Sequence, residues 1–95
     1  MSANTEPIAR FRLGRIVATP NALNHIPNDD ILCAIQRHQS GEWGEVDDHD
    51  RQANDCAVAH GGRLVSVYYS VARVKFWLIT EADRSVTTVL LPEDY

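Results

Sequence analysis

Leu64-Val65-Ser66-Val67-Tyr68-Tyr69-Ser70-Val71 and Val74-Lys75-Phe76-Trp77-Leu78-Ile79-Thr80, with Val86-Thr87-Thr88-Val89-Leu90-Leu91 close behind, decide the fold. Their side chains alternate with a period near two, the repeat of a strand whose successive residues face opposite ways. Short connectors join them, which predicts an antiparallel sheet. The alternation assigns Val65, Val67, Tyr69 and Val71, with Val74, Phe76, Leu78 and Thr80, to the inner face. Ser66, Tyr68, Ser70, Arg73, Lys75 and Trp77 then face outward, a mixture of hydroxyls, rings and cations suited to a binding surface.

Upstream, Phe11 to Thr19 reads as a first strand, with Gly14 marking a bulge and Pro20 ending it. Thr19-Pro20 is a helix start, and Pro27 keeps that helix short. A second helix begins at Asn28 or Asp29 and runs to His38 or Gln39, with Ile31, Leu32 and Ile35 as its apolar stripe and Gly41 as its stop. Trp43-Gly44 forms a junction whose indole fills a gap. Asp47 or Asp48 caps a third helix that ends at Gly61-Gly62, with Ala53, Cys56, Ala57 and His60 facing inward. The order β-α-α-(α)-β-β-β predicts a small single α+β domain over 1–95, an antiparallel sheet with helices packed mainly on one face. Residues 1–10 read as a flexible leader, and the first strand's place in the sheet is left open.

The composition fits a globular protein: 44% hydrophobic and 23% charged among 95 residues. No apolar stretch approaches the roughly 20 residues of a membrane span, so no membrane role is expected. A polar start without an apolar segment predicts no secretory signal and a cytoplasmic location. Cys33 and Cys56 lack C-x-x-C spacing and read as buried free thiols. The net charge of −4 is unevenly spread, because residues 28–55 carry eight acids against Arg37 and Arg51. The central helices are therefore the acidic side, and Arg10, Arg12, Arg15, Arg63, Arg73 and Lys75 lie in or beside the strands.

The sequence holds residue types for three kinds of chemistry. The cluster Asp47-Asp48-His49-Asp50, with Asp55, Cys56 and His60 beyond it, contains metal-ligand types. His49 and Cys56 stand two helical turns apart, roughly 10 Å, too far to share one ion, so the segment reads as a capped acidic helix start and no metal is expected. His25, His38, His49 and His60 belong to no G-x-S-x-G, phosphate-loop or H-E-x-x-H pattern, so no catalytic residue and no cofactor is assigned. Arg12, Arg15, Tyr68, Arg73, Lys75, Trp77 and Arg84 combine aromatic platforms with cations and form the candidate binding set. A protein partner or self-association is the leading expectation for that set, with nucleic acid next.

The segments Leu13-Gly14-Arg15-Ile16-Val17-Ala18-Thr19-Pro20, Arg37-His38-Gln39-Ser40-Gly41-Glu42-Trp43-Gly44 and Ile79-Thr80-Glu81-Ala82-Asp83-Arg84-Ser85-Val86-Thr87-Thr88-Val89-Leu90-Leu91-Pro92-Glu93-Asp94-Tyr95 resemble a family of small bacterial proteins described as plasmid-related. The resemblance implies a cytoplasmic protein of plasmids or other mobile elements, and it carries over no catalytic residue. A second similarity, through Gly62-Arg63-Leu64-Val65-Ser66-Val67-Tyr68-Tyr69 and Phe76-Trp77-Leu78-Ile79, is to the RelE/BrnT-like ribonuclease toxins. That resemblance implies Arg73, Lys75 and Arg84 as phosphate-charge stabilisers with His60 or Tyr68 moving protons. The leading expectation is a non-enzymatic accessory binding module that uses the outer sheet face and the Glu81 to Thr87 turn. The alternative is an RNA-cleaving toxin.

Overall fold

Local chemistry sets the helices of the computed structural model, which describes residues 8–95. Thr19 accepts the Ala22 N–H at 3.1 Å, and Pro20, which has no N–H to lose, opens α1 (Pro20–His25). Pro27 then precedes α2 (Asn28–Gln39), whose first turn carries Asp29 and Asp30 at the positive end of the helix dipole. Asp47 caps α3 (Asp48–His60) by accepting the Asp50 N–H at 2.8 Å, and Gly61 closes it with φ of 92°. The expected leader lies outside the described residues over 1–7, while Arg10 is tied down by its N–H, which donates to Gln39 C=O at 2.8 Å.

Strands β1 (Arg15–Ala18), β2 (Leu64–Tyr69), β3 (Lys75–Thr80) and β4 (Val86–Leu90) form one sheet of order β1-β4-β3-β2. The three C-terminal strands are antiparallel neighbours, as their short turns require. The first strand is shorter than the sequence reading placed it and takes the free side of β4 in parallel, a pairing made possible by the long excursion of chain between them. A 3-10 turn at Pro92–Asp94 follows β4.

Helices α1 and α2 pack Ala22, Ile26, Ile31 and Ala34 on Tyr68, Phe76, Leu78, Val89 and Leu91. A second cluster joins Trp43, Ala57 and Leu64, with Phe11, Val46 and Val58 against it, so the indole does fill the junction. Several faces differ from the sequence reading. In β2 the inward residues are Leu64, Ser66 and Tyr68, and Val65 and Val67 face out, because Ser66 has a buried polar partner to meet. Since a strand turns over with every residue, this exchange moves the whole strand's pattern. In α2 Leu32 faces solvent and His38 faces the core. In α3 the inward residues are Asn54 and Ala57, leaving Ala53, Cys56 and His60 exposed. Cys33 and Cys56 are free but exposed, since each sits on the solvent side of its helix.

The two sheet edges are treated differently. On β2, the Asn54 side chain donates to Val65 C=O at 2.9 Å and accepts Val65 N–H at 3.2 Å. Farther along, Val67 N–H donates to Trp43 C=O and Glu45 N–H donates to Val67 C=O. One amide side chain and one loop thus substitute for a fifth strand. Gly44 makes the loop possible: its φ is 78°, and a Cβ there would overlap the Val67 carbonyl and the Tyr68 ring. Gly44→Ala is expected to lower unfolding free energy by about 2 kcal/mol or more, read as a reduced midpoint in urea.

Candidate functional site

The predicted binding set separates into three places. Arg15, Lys75 and Trp77 lie on the outer sheet face, with the register pairing Arg15 to Val86, Lys75 to Tyr69 and Trp77 to Val67 and Leu90. Arg73 sits at the β2–β3 turn with φ of 67°, its guanidinium 4.8 Å from the Tyr69 ring centre, and the Lys75 ammonium is 5.8 Å from the same centre. Arg12 is exposed ahead of β1. Tyr68 and Arg84 are turned to internal work.

Tyr68 is buried on the helix side, where its hydroxyl donates to Glu42 C=O and the Arg37 guanidinium covers its ring at 4.7 Å. Burial pushes its hydroxyl pKa up to about 12, against the opposing pull of the Ser66 hydroxyl and Arg37. Arg84, with φ of 61°, donates to Ala57 C=O at 2.7 Å, Gly62 C=O at 2.6 Å and Glu81 C=O at 3.1 Å. It thereby fastens the last turn of α3, whose Ala57 carbonyl also accepts the Gly61 N–H, to the β3–β4 turn. Asp83 holds the other side of that turn by accepting from the Ser85 hydroxyl at 2.6 Å and the Ser85 N–H at 3.0 Å. Both bonds favour its charged form and lower its pKa. The Glu81 to Thr87 segment is therefore a clasp as well as an outer turn.

Residues that ribonuclease chemistry would need to gather are spread out. Arg73 and Lys75 stand at the turn between β2 and β3, whereas Arg84 and His60 lie beyond the opposite ends of those strands, by the Leu64–Thr80 pair. Among possible metal ligands, Asp47, His49 and Asp50 bring atoms within 4.8 Å, all exposed, and Asp47 is already engaged as the helix cap. A cleft of about 350 Å³ holds Arg10, Arg37 and Arg51 beside Glu42, Glu45 and Asp55. Its cations are all paired, Arg37 with Glu42 at 2.8 Å, Arg10 with Asp55 at 3.8 Å and Arg51 with the neighbouring Asp48 at 2.6 Å, so it offers little net charge to an anion.

His38, which in the sequence reads as an ordinary satisfied or exposed histidine, is 0% exposed. Its Nδ1 meets the Ser66 hydroxyl at 2.6 Å and its Nε2 meets the Thr80 hydroxyl at 2.8 Å. Thr80 bonds to Thr87 at 2.7 Å, and Thr87 donates to the Leu13 carbonyl at 2.7 Å. Because a carbonyl only accepts, every proton in this chain is fixed in direction. Thr87 gives its hydrogen to Leu13, Thr80 gives its own to Thr87, and His38 must supply Nε2–H to Thr80 while Nδ1 accepts from Ser66. Phe11 and Trp43 enclose the ring edge-on, at 5.2 and 5.6 Å. This is a structural network, closed to solvent, and its sequence signal was the pair of hydroxyls, Thr80 and Thr87, at inward positions of apolar strands.

The outer face is the least covered part of the sheet. Val17, Val65, Val67, Trp77 and Thr88 share it by register and are half-buried, Arg15 is exposed, and Ile79 and Leu90 on the same face are buried. The Tyr95 ring stands against Trp77 at 5.7 Å, and Arg63 crosses from Tyr95 to Glu81, with a 3.3 Å contact to the carboxylate. Beside them Val65, Val67, Val46 and Ala53 line a groove of about 280 Å³ against α3. Among the described residues no helix is long and apolar enough to cross a membrane. Comparisons with protein-family models, curated proteins and solved structures produced no match.

Burial of the His38 ring, reinforced by the Arg84 charge, lowers its pKa from 6.5 to about 4. The folded ring stays neutral over a range in which the unfolded one takes up a proton, so this contribution to stability is complete above the unfolded pKa and falls as pH drops toward the folded one. Stability is expected to fall by about 2 kcal/mol from about pH 7 to about pH 5, measured by urea unfolding. His38→Gln, less stable at neutral pH, should lose most of that slope.

Proposed function

We propose that this chain is a non-enzymatic interaction module, a cytoplasmic accessory protein of plasmids or other mobile elements, that binds a protein segment on its outer sheet face. The observation carrying this reading is the row Val65–Val67, Trp77 and Thr88–Val17, apolar or β-branched, half-buried and outside both core clusters. Contiguous apolar surface on a small domain is the usual mark of a contact site, and a central tryptophan is the residue type that most often dominates one. The Arg15 and Lys75 side chains lie on the same face, while most acids lie in the helical segment 28–55. An apolar segment flanked by carboxylates is the complementary partner. The resemblance through the C-terminal segment supports the link to mobile elements.

The reading is tested by placing a photo-crosslinking residue at Thr88 on the outer face, or at Gln36 on the solvent side of α2, in the native host. A discrete protein adduct from Thr88 alone is expected, its partner carrying an acidic-flanked apolar segment. Trp77→Ala should weaken binding to that partner by about 2 kcal/mol. Equal labelling from both positions would overturn the reading. So would RNA cleavage by the purified protein that Arg73→Ala or Lys75→Ala abolishes without unfolding it.

A further inference from the structure

Among the described residues, the edge opposite the sealed one, that of β1, carries no pairing partner. In β1, Arg15 N–H donates to Ser85 C=O and Thr19 N–H to Val89 C=O, so by the parallel pattern the odd-numbered residues spend their backbone groups on β4. Ile16 and Ala18 therefore direct N–H and C=O away from the sheet, and the Ile16 residue is 46% exposed. Arg15 is exposed and has no carboxylate partner among the described residues. An open strand end with a free cation beside it needs an occupant that offers a strand and a carboxylate.

We propose that the occupant is a second copy of this chain, paired through β1 in antiparallel fashion about a two-fold axis beside Val17. The unpaired groups dictate this register. Ile16 can exchange both backbone bonds only with an outward-facing residue, and the partner's Ala18 is one, with the reverse pair following by symmetry. Val17 then faces the partner's Val17 across the axis, and Arg15 stands opposite the partner's Thr19. Thr19 donates to Asp94 Oδ2 at 2.6 Å, so the carboxylate of Asp94 lies where the incoming guanidinium arrives. The contact forms twice, and two four-stranded sheets become one continuous sheet. The apolar outer faces of both copies end up on the same side, so this pairing leaves the surface proposed above free and extends it.

Sedimentation from micromolar to millimolar concentration tests the pairing. The native chain is expected to pass from monomer to dimer, and Ile16→Lys and Arg15→Glu should each shift the midpoint upward about tenfold or more, whereas Trp77→Glu should leave it in place. Register is read separately with Val17→Cys in a Cys33→Ser, Cys56→Ser background. Residues facing across such an axis have Cα atoms about 4.5 Å apart, within disulfide reach, so oxidation should give a covalent dimer from Val17→Cys and none from Lys75→Cys. A chain that stays monomeric throughout would overturn the proposal. Dimerisation unaffected by Ile16→Lys and Arg15→Glu, or lost in Trp77→Glu, would also overturn it. A monomeric chain that still crosslinks its host partner at Thr88 would leave the outer-face reading standing, and the reverse result would remove that reading alone.

Discussion

The imidazole of His38 is the constraint around which the rest is arranged. A neutral ring with both nitrogens buried needs one acceptor and one donor, and leaving either unmet costs on the order of 1–3 kcal/mol. Ser66 and Thr80 meet them from neighbouring strands, and Thr80 passes the chain through Thr87 to the Leu13 carbonyl. One side chain on α2 is therefore bonded to β2, β3 and, through Thr87, to β4 and the segment leading into β1. The network fixes which side of β2 faces the helices, and with it the character of the outer face. Turning Ser66 inward turns Val65 and Val67 outward, so the face suited to contact is more apolar than simple alternation suggests.

Features written in short stretches of chain were legible in the sequence. Thr19-Pro20, Asp47 and Gly61-Gly62 mark helix ends by chemistry within a few residues, and the three C-terminal strands and the α+β order follow from local periodicity. Features that depend on distant partners were not. The period of β2 is visible, but its phase is set by a histidine 28 residues away, and with apolar residues on both faces the sequence has no local means of choosing. The parallel place of β1 follows from a vacancy beside β4 that exists only after the hairpins form. Of the candidate binding residues, Arg15, Lys75 and Trp77 share the outer face, whereas Tyr68 and Arg84 are structural because a buried ring and a helix end use their polar groups.

Edges and termini follow the same logic of satisfied backbone. Asn54 and the Trp43–Glu45 loop occupy the β2 edge. At the other side, Asp94 gathers the Thr19 hydroxyl, the Asn21 amide at 2.7 Å and the Leu91 N–H at 3.1 Å, tying the end of the chain to the start of α1. The Thr19 hydroxyl above all, then Asn21, holds the Asp94 carboxyl below its usual pKa. Sealed edge, open edge and half-covered outer face together define a domain in which no buried side-chain polar atom among the described residues lacks a partner and the remaining bonding capacity faces outward.

Nitrogen-15 spectroscopy of the His38 ring tests the network most directly. The account predicts the neutral Nε2–H tautomer at neutral pH, with Nδ1 unprotonated, persisting until the pH approaches about 4. An Nδ1–H tautomer, or a ring already charged near neutrality, would contradict the directed chain from Ser66 to Leu13.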